Sequence, residues 1–531
     1  MFAESTVSMT WFSSRKPYKN NPSYDLPYLK ICREVFLILS EHSLFNQSPL
    51  NMFQCRELAY VLTSYFEDVV NGIGFWAAVV KEHEVLYGQR VPFFSKEQLE
   101  EWKDCNDIHP ADIHYLAFVY LVFLQKTGQT EFFPSEDFFI VLREKVFDHL
   151  DQIEEITFTD FYKQYLMADA EPIDFKRILT WFAYDGYLFG YEFKHKREAH
   201  EKLLREQGGA TLPKEYFDMN LFSELEKKMY GLNSCLSGLF PVDILATSLG
   251  CSEEKTIGFR NTKYLIYGIF EFFDADEKHF FFRHSLTDEV FPIIKKGVGN
   301  LGHRLGKEKF WGATLYRWQD SYIIVGICGH EPDKDEIFWM NKQNEYEYKK
   351  HSVTYQQELK NHTKTEAERN LAFFGEGILV YKTIMEFKEA MNKFHQWQFD
   401  VAVKEGRADA NKNRPVPLRA DHLPAMSDIG VFVLPDEPLT IIPSYYDNLA
   451  AMSTLESVYD CCERRLFLNQ LFPEHVWRSL RSEAVLLTAE NSSEWTMQRD
   501  KDLEALLRIY VPSDYMPFKR PGIMPSKLGF N

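Results

Sequence analysis

Apolar side chains recur at helical spacing through the first half of the chain. In YLKICREVFLILSEH (28–42), Leu29, Cys32, Phe36 and Leu39 form one stripe, the pattern of a helix with one buried face. CRELAYVLTSYFEDVV (55–70) repeats it with Leu58, Leu62, Tyr65 and Val69. Asn71-Gly72 and Gly74 interrupt before FWAAVVKEHEVLYG (75–88). Glycine weakens a helix interior, so a kink or a break is predicted there. Pro110 is suited to a first helical position, and Ser135 to capping a helix over 136–150. The run 178–207 passes from apolar to highly charged, as one helix leaving a core would, and Gly208-Gly209 ends it. A shorter helix is predicted near 213–230.

Near residue 260 the period changes. KYLIYGIFEFF (263–273), HFFFRH (279–284), DEVFPII (288–294), KFWGATLYRW (309–318) and YIIVGIC (322–328) are short, β-branched and aromatic-rich. DADEK (274–278) and QDS (319–321) read as turns between them. Such spacing predicts a small antiparallel barrel or sheet, with an SH3-like barrel as the expected topology. Strand patterns return at 377–382, 429–434 and 438–443, with an amphipathic helix over 383–406 and helical stretches to about Phe472 and through 500–511. The expected class is multidomain α+β. A helical domain with an N-terminal arm spans 1–255, a small β-domain 256–342, and an α+β domain with an extended tail 343–531.

Composition fits this division. A chain of 531 residues exceeds one ordinary core. Its 45 Phe and 28 Tyr supply large side chains for filling several. YLAFVYLVFL (115–124) is too short for a membrane span and reads as a buried helix. The N-terminus lacks the basic start and apolar core of a secretory signal. Eight cysteines without a C-x-x-C spacing fit a reducing, cytoplasmic compartment. Net charge is -18, and residues 131–174 hold 12 acids against 3 bases. Acidic surfaces repel phosphate backbones, so nucleic acid is not an expected partner. That acidic stretch reads as a solvated helical face or a surface for a basic partner.

Candidate chemistry is sparse. Gly297–Gly302 matches G-x-G-x-x-G, but the next strand-like run begins a few residues later and leaves no room for a crossover helix. Gly306-Lys307 is followed by Glu308, and position 301 is Leu, so a P-loop fails as well. A β-connection remains, with a weak anion site at Arg304 and Lys307 as the sharper reading. Cys105, Asp107, His109, Asp112 and His114 could ligate zinc, yet a helix starting at Pro110 turns His109 and the acids into caps. His279, His284, His303, Cys328 and His330 could converge in a small barrel, but fit no standard metal motif. Cys461-Cys462 reads as core packing before a vicinal redox pair. No metal and no cofactor is expected.

The most distinctive stretch is SYFEDVVNGIGFW (64–76). Glu67 and Asp68 are about 100° apart on a helix, so only one readily faces inward. A buried carboxylate there is a site candidate; capping or pairing with a neighbouring helix is the plainer reading. Tyr65, Glu67, Asp68 and Trp76 are therefore the candidate binding residues. TWFSSRKPYKNNPSYDLPYLKICREVF (10–36), YFEDVVNGIGFWAAVVKEHEVLYGQRVPFF (65–94) and IHPADIHYLAF (108–118), in the first third of the chain, resemble an uncharacterised, mainly Bacteroidota bacterial family of unknown function. The matching positions are Trp11, Pro17, Tyr18, Tyr65, Phe66, Glu67, Asp68, Gly72, Gly74 and Trp76, with His109 where the family has Asn. The resemblance implies a bacterial cytoplasmic protein and no particular reaction. The expectation is a non-catalytic binding or scaffold protein with a protein partner or self-association, and no membrane. The alternative is a hydrolase with a carboxylate or metal-assisted site, at Glu67/Asp68 or in the His-rich β-region.

Overall fold

The computed structural model describes residues 7–18, 21–45, 50–102, 108–153, 160–166, 171–206, 214–284, 289–297, 310–330, 353–375, 377–409, 414–417, 428–435, 439–453, 457–463, 465, 476, 478–480 and 493–512. The glycine loop beyond Gly297, Cys105, Asp107, His303 and the tail from 513 lie outside them. The chain divides into two compact units. One comprises Met1–His351, Val458–Leu468 and Met497–Phe518, the other the remaining residues.

The first unit is helical up to the barrel. Its helices are α1 (Met9–Ser13), α2 (Pro22–Phe45), α3 (Met52–Val70), α4 (Phe75–Tyr87), α5 (Lys96–Glu101), α6 (Pro110–Lys126) and α7 (Glu136–Asp151). They continue as α8 (Phe161–Leu166), α9 (Pro172–Tyr184), α10 (Gly190–Leu204), α11 (Lys214–Gly231), α12 (Pro241–Ser248) and α13 (Glu253–Asn261). Helix α6 carries YLAFVYLVFL and is buried on every side. The predicted interruption at Gly72 and Gly74 is a full break between α3 and α4. Both glycines have positive φ, 56° and 103°, where a side chain would strain the backbone. The single helix expected over 178–207 is two. Chain doubles back at Gly186, where a Cβ would lie 2.4 Å from the Phe182 carbonyl oxygen.

Two later segments complete this core. In Val458–Glu463, Tyr459 packs against Phe118 and Phe139 with ring centroids 5.6 and 5.5 Å apart. In Ser493–Tyr510, the Tyr510 hydroxyl donates to Gln125 Oε1 at 2.7 Å. Gln125 Nε2 in turn donates to the Cys462 carbonyl at 2.8 Å, so one α6 side chain ties both segments down. Cys461 and Cys462 are buried and form no disulfide, and burial pushes the Cys462 thiol above its ordinary range.

The five predicted strands are β1 (Leu265–Ala275), β2 (His279–His284), β3 (Val290–Ile294), β4 (Phe310–Trp318) and β5 (Ser321–His330). They close a small barrel in the order β1-β2-β3-β5-β4, filled by Phe270, Phe282, Phe291, Trp311 and Leu315. Pairing is antiparallel except between β3 and β5, which run parallel at Ile293 and Tyr322. This is a Greek-key order of the OB type, where an SH3-like barrel was the topology expected from sequence. Helices α11 and α13 cover one side: Tyr230 meets Tyr316 at 5.0 Å and Phe259 meets Trp318 at 4.8 Å between centroids.

The second unit holds an antiparallel sheet β6-β7-β8 (Gly377–Tyr381, Ile429–Val433, Thr440–Pro443). Phe387, Met391 and Phe394, one stripe of the helix Ile384–Lys404, pack on Ile429, Val431 and Val433. Tyr445 covers the opposite face at Gly430, where a Cβ would come within 2.7 Å of its ring. Strand β7 is buried throughout for this reason. Among the described residues, no helix is long and apolar enough to cross a membrane.

Tyr459→Ala and Tyr510→Ala should each destabilise the first unit by about 3–5 kcal/mol, the usual loss for a buried aromatic. Urea unfolding of the full chain measures it. Parent-like midpoints would show that these segments are not part of its core.

Candidate functional site

Helix α3 carries Tyr65, Glu67 and Asp68 in its last two turns, and Trp76 lies in the first turn of α4. All four side chains are buried. Both carboxylates are inward, contrary to the expectation that one would face out. The cause is that α3 is covered on every side from Gln54 to Asp68: the arm before α2 lies over Glu67, and α4 with Tyr187 lies over Asp68.

Asp68 caps α4. Gly74, the residue before that helix, has no side chain to cap it, so the task falls to a residue six positions back. Asp68 Oδ1 accepts from the Gly74 and Phe75 amides at 2.7 and 3.2 Å. Asp68 Oδ2 accepts from the Trp76 amide at 2.6 Å and the Tyr187 hydroxyl at 2.7 Å. A negative charge at a helix N-terminus is stabilised by unpaired amides and by the macrodipole. Burial raises the Asp68 carboxyl above its ordinary range, and these four donors act against that rise.

Glu67 pairs with Lys16 of the arm, and both side chains are almost entirely shielded from solvent. Three rings surround the ammonium: Phe12 at 4.7 Å, Tyr162 at 5.4 Å and Tyr28 at 5.9 Å to their centroids. Aromatic faces attract a desolvated cation, so the box and the carboxylate act together. Burial pushes the Glu67 carboxyl above its ordinary range and Lys16 pulls it back. Neighbouring Arg15 repeats the arrangement. It pairs with Glu57 at 2.6 Å and lies over the rings of Trp11 and Tyr60 at 4.3 and 4.9 Å. The arm is fastened further by Tyr18 and Ser13, whose hydroxyls donate to Asp25 at 2.7 and 2.6 Å.

Tyr65 and Trp76 meet at a residue that sequence reasoning had treated only as a cap or ligand, Asp112 in the first turn of α6. Asp112 Oδ2 accepts from the Tyr65 hydroxyl at 2.8 Å and from Trp76 Nε1 at 2.7 Å. Arg90 grips both carboxylate oxygens, Nε at 2.8 Å and Nη2 at 2.5 Å. The His109 amide donates to the Tyr65 oxygen at 2.9 Å. Burial alone would lower the Arg90 guanidinium, but Asp112 raises it overall.

The zinc candidates part company. His109 caps α6 through Nδ1, which accepts from the Ala111 amide at 3.2 Å. His114 points to the Tyr459 hydroxyl at 2.5 Å, and burial lowers its imidazole to about 3. His284 is buried in the barrel beside Phe270. His279 sits at a turn, against Asp276 and Ser321. Among the described residues, no three His, Cys, Asp or Glu are grouped to hold a metal ion.

Residues 9–269 match a family described as a protein of unknown function (DUF3843). The matched stretch runs from the arm through α13 and into β1. No curated protein and no solved structure matches the chain.

Asp112→Ala strands the Arg90 guanidinium and two buried donors at once, so a loss of about 3–5 kcal/mol is expected in urea unfolding. Tyr65→Phe removes one hydroxyl from the same junction and should cost about 1–3 kcal/mol. Equal, small effects from both would mean that Asp112 does not hold this junction together.

Proposed function

We propose that the chain is a bacterial, cytoplasmic binding or scaffold protein. Its helical unit acts as a rigid body, and Tyr65, Glu67, Asp68 and Trp76 fix the shape of the surface it presents. One observation carries this reading. Each carboxylate around the 64–76 stretch is engaged by a structural partner: Glu67 by Lys16, Asp68 by three amides and Tyr187, Asp112 by Arg90, Tyr65 and Trp76. General acid–base work needs a carboxylate that can reach a substrate proton and change its protonation state. Groups locked in this way suit shape-keeping better. Cys32, Cys55, Cys235, Cys251, Cys461 and Cys462 are in no disulfide, which supports a reducing compartment.

The first residues of α3 offer a surface for a partner. The guanidinium of Arg56, itself buried, lies 5.0 Å from the ring of Phe53 and 4.6 Å from that of Trp11. Phe53 and its neighbour Met52 are exposed at 54% and 41%. Phe and Met are enriched at protein interfaces, so a protein partner or a second copy of the chain is the fitting ligand.

Native mass spectrometry of the protein gently purified from its own host tests this. A retained protein partner or a homo-oligomer is expected, and Phe53→Asp should release it. A bare monomer at micromolar concentration would contradict the proposal.

A further inference from the structure

The barrel places three residues in a hydrogen-bonded line at one end. Asp276 lies in the turn between β1 and β2, and His279 is the first residue of β2. Ser321 is the first residue of β5, after the turn at Gln319-Asp320. His279 Nδ1 is 3.2 Å from Asp276 Oδ2, and His279 Nε2 is 3.1 Å from Ser321 Oγ. The other carboxylate oxygen is anchored, since Asp276 Oδ1 accepts from the amides of Lys278 and His279 at 2.7 and 2.5 Å. Those amides, foremost that of His279, hold the Asp276 carboxyl below its ordinary range. An ionised carboxylate accepts, so it selects the tautomer with hydrogen on Nδ1. Nε2 is left as the acceptor for the Ser321 hydroxyl.

Nucleophile to base and base to orienting carboxylate is the order that defines a serine nucleophile. It is recognised by geometry and roles, not by spacing in the chain. The side chains of His279 and Asp276 are 24% and 50% exposed, so a substrate can reach them. An apolar shelf runs from the imidazole. Phe281 lies 6.1 Å from His279, and Phe273 6.4 Å further on. A register shift between Phe272 and Asp274 interrupts the β1–β2 pairing at Phe273, which is 42% exposed. Arg283 stacks on that ring at 4.7 Å. Lys295, whose ammonium donates to the Asp276 carbonyl, adds positive charge beside the line.

We propose that Ser321 and His279, positioned by Asp276, form a nucleophilic site that hydrolyses carboxylic esters whose apolar acyl group rests on Phe281 and Phe273. Ser321 Oγ attacks the ester carbonyl carbon as its proton passes to His279 Nε2. The bond to the alkoxy oxygen breaks, and His279 returns that proton to the departing alcohol. Water then attacks the acyl-serine and gives a proton to His279. The bond from the acyl carbon to Oγ breaks, the acid leaves, and the proton returns to Ser321. This site is independent of the binding role proposed for the helical unit.

The full chain treated with a fluorophosphonate tests the site. The phosphonyl group should transfer to Ser321 Oγ with loss of fluoride, giving one adduct that peptide mass mapping assigns to Ser321. Ser321→Ala should abolish the adduct, and His279→Gln should slow its formation on the order of 100-fold. Hydrolysis of p-nitrophenyl butyrate should fall in parallel. Asp276→Asn should shift the pH dependence of labelling, a readout that a merely turn-stabilising role would not move. An unlabelled Ser321 in the folded parent chain, or ester hydrolysis that persists in Ser321→Ala, overturns the proposal.

Discussion

A buried charge must be matched where it lies, and the helical unit is organised around that requirement. Helix α3 has no exposed face on which to place Glu67 or Asp68. Each carboxylate therefore recruits a different part of the chain. Glu67 holds the arm through Lys16, and Asp68 sets the start of α4. One turn into α6, Asp112 collects Tyr65 from α3, Trp76 from α4 and Arg90 from the loop beyond α4. Desolvating an ion costs several kcal/mol unless good geometry offsets it. The pairs thus act less as sources of stability than as fasteners that admit one arrangement of these elements.

The same unit carries a barrel of different character. Its interior is mainly aromatic and apolar, with His284 buried beside Phe270, and much of its remaining polar chemistry lies in turns. Turns held on a rigid scaffold are where reactive groups are usually presented. Closure of the barrel matters for this reason. Because β3 pairs with both β2 and β5, the starts of β2 and β5 come to the same end, and His279 meets Ser321 across 42 positions of sequence.

Much of this architecture was legible in the chain itself. Apolar stripes marked α2, α3 and α4, and Gly72 and Gly74 marked the break. Aromatic, β-branched runs marked all five barrel strands. Partnerships were not legible, because they are long-range. Lys16 lies 51 positions from Glu67, and Tyr65 lies 47 from Asp112. Lys16 adjoins Pro17 and Tyr18 in the arm, and its charge is the one local clue. Strand order was hidden for the same reason: local runs do not say that the last strand returns to the third. One helix over 178–207 is what the local pattern suggests, because nothing local marks Gly186 as a close approach of backbone to backbone that separates α9 from α10.

The most direct test of the account is a double-mutant cycle on Lys16 and Glu67, using Lys16→Met and Glu67→Gln and measuring unfolding in urea. Each single change leaves a buried polar partner without its match and should cost about 3–5 kcal/mol. The double change removes both charges, and its cost should be well below the sum of the singles, with a coupling of about 2 kcal/mol or more. Additive losses would contradict the account, because Glu67 would then owe its place in α3 to something other than holding the arm.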